Sequence, residues 1–223
     1  MSPLQEIQVQ SSLREVALRA IRAGIVTGEI HSEQIYSAPT LARQLGVSAT
    51  PVREAMLDLA AQGLVEPVRN RGFRILPLTD EDLDQIYELR MLIEVPTIGR
   101  LAGTLPKREV IRLQKLAKDS EAAAQTSDLV RFLDADRTFH LGLLEHSGNR
   151  RLVEFIGQLR AQTRLYGLRE LADAGALVST AREHRLILDR IESGDSAGAE
   201  EQMAKHLQHT RGAWAGRAEA ADS

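Results

Sequence analysis

The 223-residue chain contains no cysteine. Disulfides, thiolate zinc sites, iron–sulfur clusters and cysteine nucleophiles are therefore excluded, and the absence fits a reducing compartment. Aromatic residues make up only 4%, too few for stacking platforms to dominate a site for bases or sugars. No run approaches the roughly 20 apolar residues of a membrane span. Residues 1–10 lack a basic stretch followed by an apolar segment, so no signal peptide is expected and the chain reads as cytoplasmic. The charge excess is small, −3 overall, which argues against a general polyanion binder but leaves room for a local basic patch. What the chain does have is 43% apolar and 26% charged residues, the balance of a folded globular protein and not of a disordered one.

The charge is unevenly spread. Residues 1–78 carry eight Arg, no Lys and seven acids, a net +1, and the remainder carries −4. The apolar pattern divides at the same place. Ser12-Leu13-Arg14-Glu15 reads as a capping box opening a helix that runs to Gly28. A short helix fits 37–45, stopped by Gly46, and another starts with Ser48 as its N-cap, tolerates Pro51 in its first turn and ends near Gly63. Leu64 to Leu76, turning at Asn70-Arg71-Gly72, reads as a small hairpin. Beyond Pro77 the period is helical throughout. A long helix starts at Thr79 with a stripe of Leu83, Ile86, Leu89 and Ile93 and a bend expected at Pro96. Further helices fit roughly 107–125, 128–147, 150–172, 179–193 and 196–214. The fold class is mainly α. Residues 1–77 form a winged helix-turn-helix with a small β-hairpin, 78–215 an antiparallel bundle of about six helices, and 216–223 a tail expected to be disordered.

In a helix-turn-helix the second helix lies in the major groove with its first residues on base edges. Here that turn is Ser48-Ala49-Thr50-Pro51-Val52-Arg53, with two hydroxyls for phosphates or bases and an arginine able to grip a guanine bidentately. The hairpin tip Arg69-Asn70-Arg71-Gly72-Phe73-Arg74 has three arginines and no acid, a basic wing whose glycine permits close backbone approach to DNA. Leu41-Ala42-Arg43-Gln44-Leu45-Gly46-Val47-Ser48, Thr50-Pro51-Val52-Arg53-Glu54-Ala55-Met56, Gly63-Leu64-Val65 and Asn70-Arg71-Gly72-Phe73 resemble the winged helix of the GntR family of bacterial transcription regulators. The resemblance implies DNA binding through Ser37, Ser48, Thr50, Arg53, Arg69, Asn70, Arg71 and Gly72. FadR-type members usually carry Arg where this chain has Ala49, and often a Glu-Arg pair where it has Ala38-Pro39. More of the readout therefore falls to Arg53, Thr50 and the wing.

In the second half, Asp136 and His140 share a helix face at i,i+4. His184 falls on the stripe of Ala181, Leu188 and Ile191, and His206 on that of Ala199, Met203 and Thr210. Three helices thus aim imidazoles or a carboxylate inward, where bundles build metal sites, and a buried Asp136 requires a cation or strong donors. Asp136 with Phe139-His140, then Gly148-Asn149, then Glu183-His184 and finally His206-Leu207 resemble the FCD effector-binding domain of FadR-type regulators over most of residues 80–210. The resemblance implies a divalent metal on Asp136, His140, His184 and His206: zinc first, with nickel or manganese as alternatives that spacing cannot separate. His209 is the one substitute ligand, and His146 reads as a cation at a helix C-terminus. The resemblance also implies a small carboxylate effector. Arg90 stands where such domains often place an inward arginine, the alternative being a surface arginine paired with Glu88 or Glu94. Arg160 and Arg164, at i,i+4, can add donors.

These features give a ligand-responsive regulator, read as a repressor controlling uptake or catabolism of a small organic acid. It is expected to act as a homodimer on a palindromic operator, with no membrane partner. A metal-dependent enzyme or a structural zinc bundle tethered to a DNA-binding unit are the other readings. Glu183, next to His184 but on another helical face, makes a poor general base for the enzyme.

Overall fold

The structure, a computed structural model, describes residues 12–173 and 175–214, without the side chains of 164–171, 173, 213 and 214. The Arg164 side chain and the tail from 216 lie outside the described residues. The chain divides into two compact units, Met1–Pro77 and Leu78–Ser223.

The first unit opens with α1 (Leu13–Thr27), capped as the sequence predicts. Ser12 Oγ accepts from the Glu15 amide at 3.3 Å, and the Glu15 carboxylate accepts from the Ser12 amide at 3.2 Å. α2 (Ala38–Leu45) stops at Gly46, which takes the left-handed conformation at φ 68°. α3 (Ala49–Ala61) follows, and Ser48 does hold its N-cap position, yet its hydroxyl makes no capping bond. The reason is local. Pro51 occupies the third helical position, where the capping hydroxyl would otherwise find an N–H. Val52, Ala55, Met56 and Leu59 are fully buried, on the side of α3 that meets α1 and α2.

The expected hairpin is present as β2 (Val65–Val68) and β3 (Gly72–Ile75), but a third strand, β1 (Ile35–Tyr36), completes an antiparallel sheet in the order β1-β3-β2. A two-residue strand offers no alternation to read, and only its pairing reveals it. Tyr36 lies opposite Phe73, and Ile35 opposite Arg74. That pairing also explains Gly72. At φ 130° it has a conformation L residues rarely adopt, and a Cβ there would overlap the Tyr36 carbonyl. The missing side chain therefore serves close approach of β1.

The second unit is a bundle of α4 (Asp80–Leu101), α5 (Lys107–Gln125), α6 (Leu129–Glu145), α7 (Arg150–Asp173), α8 (Leu177–Glu192) and α9 (Ser196–Trp214). Thr79 and Asp82 form a capping box at the start of α4. Ile98, Leu113, Phe139, Leu143, Ile156, Ile187 and Met203 are among the buried residues of one core cluster. The expected α4 stripe needs correction. Leu83 and Ile86 are buried, but Leu89 is 39% exposed, and Arg90 takes the inward position that apolar spacing assigned to Leu89. At the other end of the bundle Arg211 of α9 is buried. Its Nε donates to Asp84 at 2.8 Å and its Nη2 to the Asp80 carbonyl at 3.1 Å, fastening α9 to the first turn of α4. Among the described residues no helix is long and apolar enough to cross a membrane.

Two glycines give a test of the first unit. Gly46→Ala meets no neighbouring atom, so it should carry only the left-handed backbone penalty, about 1–2 kcal/mol. Gly72→Ala should destabilise the unit by more, because β1 must also move. Urea titration read by amide hydrogen exchange over residues 35–75 distinguishes the two, and equal losses would show that β1 yields freely.

Candidate metal centre and nucleic-acid interface

The structure brings Asp136, His140, His184 and His206 together. Each offers a ligand atom within 4.8 Å of the others, from α6, α8 and α9. All four are fully buried. Phe139 holds the cluster in shape, stacked on the His184 ring at 4.7 Å, while the His140 and His206 rings stack at 4.9 Å.

The hydrogen-bond network assigns two tautomers. Ser120 donates its hydroxyl proton to the Ala117 carbonyl at 2.9 Å, so its oxygen accepts Nδ1–H of His184 at 3.0 Å. His206 donates Nδ1–H to Glu183 at 2.7 Å. Both rings therefore turn a lone pair on Nε2 toward the centre. The His206 Nε2 is buried with no hydrogen-bond partner. The His184 Nε2 lies 3.1 Å from an Asp136 carboxylate oxygen and 3.1 Å from His140 Nε2. A nitrogen lone pair facing a carboxylate oxygen at that distance is repulsive unless a cation lies between them or a proton is taken up. Nitrogen and oxygen donors with no thiolate suit a divalent metal of zinc, nickel or manganese type. Donors behind the ligands, here Ser120 and Glu183, are what orient metal-binding histidines. The residues fit the ion.

Sequence reasoning missed both supports. Ser120 had a faint signal, a hydroxyl on the buried stripe of Leu113 and Ala117. The Glu183 carboxylate accepts from His206 and, through Nδ1, from His209. His209 is thereby held on Glu183 and is not part of the cluster. Burial opposes ionisation of Glu183, but the hydrogen bonds from His206 and His209 hold its carboxyl below the usual range. His206 is pushed down to about 4, chiefly by burial and against the pull of Glu183. His146 caps the C-terminus of α6, with Nε2 3.7 Å from Glu109.

A chain of buried charge adjoins the cluster. Arg90 donates through Nε to Glu94 at 2.6 Å, and Arg160 donates to the other Glu94 oxygen at 3.1 and 2.6 Å. Arg160 Nη1 also lies 3.6 Å from Asp136. Arg90 is thus paired with Glu94, one of the two partners considered, but inside the protein and not on its surface. Burial would raise the Glu94 carboxyl, yet the Arg160 and Arg90 guanidiniums hold it below the usual carboxylate range.

In the first unit Ser37, Thr50, Arg53, Arg69, Asn70, Arg71 and Gly72 line one cleft of about 920 Å³ between α3 and the hairpin tip. Ser48 is exposed but does not line it. The Ser37 hydroxyl is already used, accepting from the Thr40 amide at 3.2 Å to cap α2. Ala49, Thr50, Arg53, Glu54 and Leu57 form the exposed row of α3.

The pH dependence of the metal-free protein follows from His206. Unfolded, it protonates near 6.5, and in the fold only at about 4. Between these values the unfolded chain binds the extra proton. This contribution to stability is complete above about 6.5 and is lost as pH falls through the window, by at most about 1.4 kcal/mol per pH unit. Glu183, held low, adds a loss only at more acidic pH. Urea unfolding in chelator at pH 7.5, 6 and 5 should show a shallower dependence for His206→Gln. The same slope in both proteins would contradict the burial argument.

Residues 13–75 match the family described as "Bacterial regulatory proteins, gntR family", and residues 85–209 match the FCD domain. The chain is 27% identical over 170 residues to the transcriptional regulator McbR of Escherichia coli, spanning 75% of this chain and 77% of that one. It is 30% identical over 130 residues to the gluconate operon transcriptional repressor of Bacillus subtilis, spanning 57% and 53%. The solved structure of E. coli McbR/YncC superposes with a TM-score of 0.74 at 25% identity, covering 90% of this chain and 95% of that one. With a GntR winged helix followed by an FCD domain over more than half its length, this chain belongs to the FCD-containing GntR family of transcription regulators.

Proposed function

We propose that this regulator is a repressor whose hold on DNA responds to a small organic acid bound beside a metal ion, and that it works in the cytoplasm as a homodimer on a palindromic operator. The observation that carries this reading is the buried Asp136, His140, His184 and His206 cluster, with two lone pairs fixed toward its centre by Ser120 and Glu183. Zinc is the ion best suited, with nickel and manganese next. When bound, the ion supplies a Lewis acid that can accept a carboxylate oxygen. The chain's own part is to orient the imidazoles, keep His206 neutral and hold the Arg90–Glu94–Arg160 ion pairs beside the cluster. The sugar-acid and hydroxy-acid class fits best, in keeping with a relative that represses a gluconate operon. Catalysis is no part of the function: the family regulates transcription.

On the DNA side Arg53, in the exposed row of α3, reads a guanine, while Thr50 and the wing arginines Arg69 and Arg71 take phosphates. Arg53→Ala should cost about 1–3 kcal/mol of specific affinity, whereas Arg71→Ala should weaken all sequences alike and reduce the salt slope by about one. Titrations on the protein's own promoter fragment at several salt concentrations decide this, and unchanged binding by both variants would remove the reading surface from α3 and the wing.

The metal has its own test. Calorimetry with zinc on metal-free protein should give about one site per chain. His184→Ala should abolish it, and Glu183→Gln should weaken it about 10–100-fold as the loss of an orienting partner. His146→Ala should leave it intact. Full zinc affinity in a His140/His184/His206 triple variant would end the proposal.

A further inference from the structure

The four cluster residues are at most 1% exposed, so an ion that reaches them has to pass through protein. The groups behind them lead to different places. Ser120, behind His184, and Arg160, beside Asp136, are themselves fully buried. Glu183, behind His206, is not. Its side chain is 11% exposed, and it is shared with His209, whose side chain is 39% exposed. His206, Glu183 and His209 form a hydrogen-bonded line from the cluster to solvent.

Helix geometry makes the line short. His206 and His209 stand at i,i+3 on one face of α9, about 4.5 Å apart along its axis. Glu183 reaches across from α8 and takes one imidazole on each oxygen, His206 on Oε2 and His209 on Oε1. A carboxylate has about four lone-pair sites, so two bonds leave others for a cation. His209 spends its Nδ1–H on Glu183, and its neutral ring then turns the Nε2 lone pair away from the carboxylate. An imidazole nitrogen on a partly exposed ring, next to an anionic oxygen, is a donor set that suits zinc, nickel or manganese. Two donors hold an ion less firmly than four, as a stopping place on a route should. Such donors matter because a hydrated divalent ion must shed water before it is buried, and a charge stripped of partners is strongly unfavourable there. Each protein donor that replaces a water in time lowers that barrier.

We propose that His209 and Glu183 are the loading site of the metal centre: His209 takes a divalent cation from solvent through Nε2, and Glu183 hands it on to the buried cluster. This rests on the metal reading above and deepens it. Both Nδ1–H donors keep their places on Glu183, so the transfer requires no proton to leave.

A loading site speeds entry and exit alike and leaves the equilibrium untouched. Stopped-flow mixing of zinc with the metal-free full chain, and of the zinc-loaded chain with chelator, measures the two rates. His209→Asn keeps a side-chain N–H near the position of Nδ1 and removes the Nε2 donor. Both rates should fall at least about tenfold, or about 1.4 kcal/mol on each barrier, with Kd unchanged within about twofold. His146→Ala should alter neither rate. A ring that merely blocked the way would give the opposite result, since the smaller Asn would speed both. Should His209→Asn fail to fold, carbethoxylation of the His209 ring in the unmodified, zinc-loaded protein, located by mass spectrometry, makes the same deletion and should slow release. Unchanged or faster exchange after either change, or weaker binding with the entry rate unaltered, overturns the loading site and leaves the metal centre standing. A metal-free protein that takes up no zinc overturns the metal reading itself, and this inference with it.

Discussion

Asp136 sits in the middle of a helical bundle with no exposed surface, and much of the second unit is arranged around what that burial demands. A carboxylate in an apolar core is tolerated only where positive charge or strong donors surround it. Here the guanidinium of α7 supplies part of it and, through that, the ion pairs of α4, while the His184 lone pair 3.1 Å away leaves a cation as the remaining requirement. The helices that build this shell are the same ones that bury Phe139, Ile187 and Met203. Polar and apolar cores are therefore one structure. Losing a member of the ionic shell removes packing as well as charge compensation, since a buried charge left without its partner is among the costlier defects a fold can carry.

Much of this was legible in the sequence, because the signals were local. The capping boxes at Ser12 and Thr79, the left-handed stop at Gly46 and the switch from helical to alternating spacing after Gly63 all lie within a few residues of the structure they specify. The metal-type cluster was legible for a related reason. A ligand on an apolar stripe must point inward, and His184 and His206 had no other place to go. What escaped notice depends on pairing between distant segments. β1 is two residues long and exists only opposite β3. Ser120 and Glu183 look ordinary until α8 and α9 bring His184 and His206 against them. Arg90 was legible as a special residue but not as a buried ion pair, since i,i+4 spacing to Glu94 occurs equally on helix surfaces.

The first unit divides its residues differently. Its core is made by one face of α3, while the opposite face of the same helix carries Ala49, Thr50, Arg53 and Leu57 outward. A helix held by fully buried Val52, Ala55, Met56 and Leu59 can present a short reading row with little freedom to adapt. In the proposed function, specificity for DNA depends on this rigid display, and the basic hairpin tip supplies attraction that any sequence would feel.

The clasp between Arg211 and the start of α4 gives α9 a second role beyond placing His206 in the cluster. His206 and Arg211 are five residues apart on one continuous helix, about 7.5 Å along its axis. A straight helix is stiff over that length, so it behaves as a short rod with an end in each of two places: one at the imidazole cluster, the other on the backbone carbonyl of Asp80. Asp80 is only three residues beyond Pro77, where the first unit ends. Within the bundle, a shift of the rod at its inner end is carried to the start of α4. No flexible loop lies in between to absorb it.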